Sequence, residues 1–126
     1  MIVVVASVLL AFLNPNDTHH TAAVAILADA VPPLLIHPIT AAEVLVAAVR
    51  RGVADAVWSD LVAIGVEIDR THHDPFVLAR LRVATNCKMP DCCVLATAER
   101  RGVAVATFDD RLPRAEDDSG PSHSGE

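Results

Sequence analysis

Large rings are nearly absent from this chain. Aromatic residues make up 3% of it, with one Trp, three Phe and no Tyr. Its interior must therefore be filled by small and branched side chains, and 52% of the residues are hydrophobic. Ala, Val and Leu in such excess suit helices packed closely on a small parallel sheet. Positive charge is short too: ten Lys and Arg face sixteen Asp and Glu, for a net charge of −6. That balance excludes holding nucleic acid by bulk charge, so any such contact must use local arginines and a metal. Cysteine is confined to Cys87, Cys92 and Cys93. An odd count with two neighbours argues against a disulfide framework and against the spaced pairs of a zinc site. Cys92 and Cys93 read instead as small apolar residues on a buried helix, in a reducing compartment.

A membrane-length apolar run is also missing. Met1 to Leu13 is apolar, yet it lacks a basic start, is short for a span and runs into the polar turn NPND. It is expected to form a strand and then a helix. With no targeting segment read, the expected location is the cytoplasm, without a membrane partner.

What is present is an alternation of short apolar runs and helical patterns. Ile2 to Val5 is an uninterrupted β-branched run, as in a central parallel strand. A short helix from Val8 to Leu13 follows, then one capped by Thr18 and reaching about Ala30. Leu34 to His37 reads as a strand, Pro38 to Arg50 as a helix ended by Gly52, and Asp55 to Ile64 as a helix ended by Gly65. Val66 to Ile68 is a third short strand, and Asp74-Pro75 opens a helix to about Ala84. The histidine pairs His19-His20 and His72-His73 read as surface residues at helix starts. The expected fold is α/β in three layers, a short parallel central sheet flanked by helices. Residues 1–113 form the domain. Residues 114–126 carry one arginine and four acids and are expected to stay disordered, being too polar to bury.

The stretch Lys88 to Asp110 organises the chemistry. In KMPDCCVLATAERRGVAVATFDD, Pro90 and Asp91 suit a helix start, Arg100 and Arg101 the negative end of its dipole, and Gly102 its stop. Val103 to Ala106 fills a buried strand, with Asp109 just beyond it. A helix feeding a strand in an α/β layer runs antiparallel to it. Asp91 and Asp109 therefore share the carboxyl edge of the sheet, where open α/β folds bind ligands. Two carboxylates there repel unless a cation lies between them, and oxygen-only ligands favour Mg²⁺ or Mn²⁺. A helix cap and an ordinary turn aspartate would account equally well for these two residues taken alone. Glu43, in the apolar ITAAEVLVAAV, is expected in the first turn of its helix and is a third acid in need of a partner or cation if buried.

In order along the chain, VVVASVLLAFL, ITAAEVLVAAV, MPDCCVLATAERRG and VAVATFDDRL resemble the motifs of PIN-domain ribonucleases of the VapC toxin type. The resemblance covers Met1 to about Leu112. It implies a PIN domain in which Glu43, Asp91 and Asp109 form the catalytic acidic cluster that binds Mg²⁺, with Mn²⁺ as a substitute. Ser7 and Thr107 match the hydroxyls that support the cluster, and Asp110 is an auxiliary acid. Lys88 and Arg111 flank the cluster and are candidates for RNA phosphate contacts. The resemblance also implies an endoribonuclease toxin that hydrolyses RNA phosphodiester bonds, a homodimer, and a cognate VapB-like antitoxin covering the acidic pocket.

One position departs from the pattern. The family's first aspartate falls on Val5, which has no ligand atom. Losing that carboxylate should weaken Mg²⁺ binding and impair the nuclease. The alternative reading is a catalytically inactive PIN-like module serving protein–protein binding. Val5 favours that alternative, while Glu43, Asp91 and Asp109 favour a working metal site.

Overall fold

The computed structural model describes residues 1–108. Four strands form one parallel sheet: β1 Ile2–Val4, β2 Leu34–Ile36, β3 Val66–Ile68 and β4 Val105–Ala106, in the order β3-β2-β1-β4. The helices are α1 Ala6–Leu13, α2 His20–Asp29, α3 Pro38–Arg50, α4 Ala54–Ala63, α5 Pro75–Thr85 and α6 Met89–Arg101. Helices flanking the sheet give the three-layer α/β architecture expected from the alternating pattern.

Strand β1 is bonded on both sides. Ile2 and Val3 register with Leu34 and Leu35 of β2, while Val3 and Val4 register with Val105 and Ala106 of β4. Val3 and Val4 are wholly buried. A strand enclosed on both faces and both edges must be apolar throughout, which is why IVVV reads continuously rather than in alternation. Beyond β1, the Val5 amide still donates to Ala106 O at 3.2 Å. That bond ties the β1–α1 junction to the end of β4.

Helix α6 is the other central element. Seven consecutive residues, Cys92 to Ala98, are buried, because α6 packs against β1, β4, α3 and α5 together. A helix enclosed on every side has no polar face, and small Cys, Ala and Thr side chains let its neighbours approach closely. Gly102 closes α6 in the left-handed conformation, φ +65°, as its place after Arg101 predicts. Gly65 has a different task. At φ +102° it leads into β3, and a Cβ there would lie 2.9 Å from the Pro32 side chain.

Several local expectations change. Strand β1 ends at Val4, and α1 starts at Ala6 rather than Val8. Strand β2 ends at Ile36; His37 instead caps α3, its Nδ1 accepting from the Ile39 amide at 3.0 Å. Thr18 caps no helix: α2 starts at His20, and the Asp17 carboxylate takes the His19 amide at 2.8 Å. Glu43 lies in the second turn of α3, since the first turn holds no acid. His20 and His73 are not free surface residues. His20 Nδ1 lies 2.8 Å from Ala11 O, linking α1 and α2, and His73 Nε2 lies 3.3 Å from Thr97 Oγ1 on α6. His73 also stacks on His37 with ring centroids 5.6 Å apart.

Asp69, one residue past β3, supplies a tie that the sequence reading did not contain. It is 3% exposed and accepts from Arg101 Nε at 3.0 Å and from the Thr71 amide at 3.0 Å. Arg101 thus does more than complement the α6 dipole: it fastens the end of that helix to the loop after β3. Burial alone would push the Asp69 carboxyl up. The hydrogen bonds from Arg101 and Thr71, with the guanidinium charge, outweigh it and hold the group at about 2 against an ordinary 3.8. A carboxyl depressed in the folded state contributes stability above its unfolded value, which disappears as the pH falls through the folded value. The tie should therefore be worth about 2 kcal/mol near neutral pH and be lost between about pH 4 and pH 2. Urea titrations at pH 7 and pH 2.5 check this. Asp69→Asn should lower stability at pH 7 by a similar amount and flatten the loss over the acid range.

Candidate active site

The carboxyl edge of the sheet opens into a cleft of about 290 Å³. Its position follows from the fold. β1 ends at Val4, β4 ends at Ala106, α3 crosses nearby and α6 begins there. Val5, Ser7, Glu43, Lys88, Asp91 and Thr107 all line it, although they lie far apart in the chain. Val5 caps α1 without a side-chain bond, and Ser7 is in the first turn of that helix. Lys88 caps α6, and Asp91 lies in its first turn. Thr107 follows β4 directly.

Burial divides these residues. Val5 is 5% and Thr107 is 4% exposed, so both belong to the wall. Ser7, Glu43 and Lys88 are exposed, and Asp91 is partly buried. Two carboxylates and one ammonium therefore meet solvent at the cleft. The site also has an apolar component, because the Val5 side chain ends in methyl groups. Asp109, Asp110 and Arg111, together with the acidic tail 114–126, lie outside the described residues.

The donor set fits a hard cation. Glu43 and Asp91 offer carboxylate oxygens, and Ser7, Thr40 and Thr107 bring hydroxyls to the same cleft. Oxygen donors of this kind match Mg²⁺ or Mn²⁺. Among the described residues, no three His, Cys, Asp or Glu side chains converge tightly enough to hold a metal. Two carboxylates are what the described part of the site supplies.

The nearby thiols do not compete. Cys87, Cys92 and Cys93 are free and buried; Cys92 and Cys93 lie on α6, as expected of small apolar helix residues, and Cys87 lies in the loop before it. Burial, the neighbouring Cys92 thiol and the Glu43 carboxylate all push the Cys93 thiol up. Burial first, and then Cys87, raise Cys92. Both stay protonated near neutral pH, which makes them poor nucleophiles.

Thr40 is a polar cleft residue that the sequence does not single out. Its spacing carried a signal, since a residue three before Glu43 shares that residue's helix face.

The PIN domain family matches residues 2–118 of the chain. No functionally curated protein matches it in sequence. Among solved structures, VapC20 of Mycobacterium tuberculosis, a sarcin–ricin loop cleaving toxin, superposes with a TM-score of 0.67 at 18% identity. That match covers 87% of this chain and 91% of VapC20. A toxin–antitoxin complex from Klebsiella pneumoniae gives a TM-score of 0.75 at 22% identity, covering 86% of this chain and 87% of the other. At these identities the two structures share this chain's fold.

The buried position of Val5 generates a direct test. Val5→Asp places a carboxylate beside Glu43 and Asp91, where like charges repel. In EDTA the variant should melt below the unmodified chain. Millimolar Mg²⁺ should return most of the loss while moving the unmodified chain little, as read by thermal denaturation with and without the ion.

Proposed function

The chain belongs to the PIN-domain family, and we propose that it is a Mg²⁺-dependent endoribonuclease toxin of the VapC type, impaired by Val5. The observation that carries this reading is the assembly of Glu43, Asp91, Ser7 and Thr107 around one cleft at the carboxyl edge. Glu43 and Asp91, with Asp109, would hold the ion, and Mn²⁺ would serve in its place. When bound, the ion lowers the pKa of an attacking water and polarises a phosphate oxygen. The hydroxyls of Ser7 and Thr107 orient the carboxylates and the water, and Asp110 adds an auxiliary acid. Lys88, an exposed cation at the rim, meets an RNA phosphate, and Arg111 assists it. Water is the nucleophile in this scheme. The cleft offers no thiolate, and the carboxylates serve as ligands.

The partners follow from the same reading: an RNA substrate, a second copy of the chain and a cognate VapB-like antitoxin, all in the cytoplasm. Val24, Val31, Val46 and Val49 are exposed on and beside α2 and α3. Apolar side chains in that number support a surface covered by a partner. Among the described residues no helix is long and apolar enough to cross a membrane.

Val5 also favours a second reading, a PIN-like module that binds proteins without catalysis. The two separate on one experiment. Cleavage of a mixed RNA substrate is measured for the chain and for Val5→Asp, each with Mg²⁺ and with EDTA. The toxin reading expects Val5→Asp to gain Mg²⁺-dependent cleavage by about a hundredfold or more. It expects Asp91→Asn or Glu43→Gln in the same background to remove that gain. If Val5→Asp folds, binds Mg²⁺ and leaves RNA intact, the binding module is the better account.

A further inference from the structure

Thr40 lies in the first turn of α3, is 2% exposed and lines the cleft. Among the described residues nothing hydrogen-bonds to its hydroxyl. The contrast with two other helical threonines is informative. Thr85 and Thr97 each donate to the carbonyl four residues back, at 2.7 and 2.9 Å. For Thr40 the residue four back is Ile36, which lies in β2 before the helix begins and whose carbonyl accepts the Asp69 amide at 2.8 Å. The acceptor is therefore a strand carbonyl and not the helical one that Thr85 and Thr97 use.

A buried hydroxyl without a partner weakens a protein relative to a methyl of the same shape. Valine would suit this position better if packing were its only task. Thr40 is, however, on the wall of the cleft that Glu43 and Asp91 also line, and it precedes Glu43 by one helical turn. Water held in that cleft is the partner the geometry offers.

We propose that Thr40 is a positioning residue, its hydroxyl hydrogen-bonding a water that hydrates the divalent ion held by Glu43 and Asp91. The inference rests on the metal-dependent reading given above. Hydroxyls and amides that orient the surroundings of a metal without touching it change affinity by about tenfold to a hundredfold. Thr40 belongs to that class, beside Ser7 and Thr107, but it differs from exposed Ser7 in being sealed into the wall.

The test uses the whole chain and Mn²⁺ alone, followed by calorimetric titration, with thermal melts in EDTA on the same samples. Thr40→Val should weaken Mn²⁺ binding by about tenfold. In EDTA it should raise the melting midpoint by about 2–5 °C, because a methyl replaces a stranded hydroxyl. Thr40→Ser, which restores the hydroxyl, should keep the original affinity. Unchanged Mn²⁺ affinity in Thr40→Val overturns the proposal. So does a lower midpoint, which would assign the hydroxyl to the fold. Asp91→Asn tells the two levels apart. If it leaves Mn²⁺ binding intact, the metal reading fails and Thr40 falls with it. If it weakens binding while Thr40→Val does not, only the inference about Thr40 fails.

Discussion

Strand β1 is held by hydrogen bonds along both edges, and everything else is arranged from it. A three-residue strand has little stability of its own. Its place between β2 and β4, with Val3 and Val4 sealed from solvent, fixes it in the sheet and fixes the point where it ends. Val5 is still bonded to Ala106 O, so the cleft wall inherits the rigidity of the sheet. A ligand site at this edge has its geometry set before any ligand arrives, which is what positioning catalysis requires.

The second fixed element is α6. Because it is enclosed by the sheet, α3 and α5, its first turn cannot shift without disturbing the core. Asp91 is thereby held beside the β1–α1 junction. Arg101 at the opposite end is held to Asp69. The first turn of the helix brings a carboxylate to the cleft, and its last turn neutralises a buried acid. Charge near the cleft is a matter of placement: in a chain with a net charge of −6, Lys88 is a local cation at its rim.

Part of the lining of the candidate cleft is legible in the sequence. Asp91 announces itself through Pro90 and the helix start, and Glu43 through its isolation among Ala, Val and Leu. Asp69 did not announce itself: an acid after a short strand looks like any turn residue until Arg101, 32 positions later, is found against it. Thr40 signalled itself only through its spacing from Glu43, because a threonine in a first helical turn is commonplace. Ile36, four residues back, belongs to β2 and not to the helix, so the hydroxyl lacks the usual helical acceptor. The histidines misled for the same reason, since stacking of His37 on His73 joins two segments that local pattern treats separately.

Sequence alone determined the alternation of strands and helices, the apolar character of β1 and the stops at Gly52, Gly65 and Gly102. These depend on backbone sterics and on the period of buried side chains, both of which are local. The tertiary structure decided which residues meet. It brought Val5, Glu43, Asp91 and Thr107 to one cleft, paired Asp69 with Arg101 and stranded the Thr40 hydroxyl. Such contacts arise from strand order and helix packing, and no window of neighbouring residues contains that information.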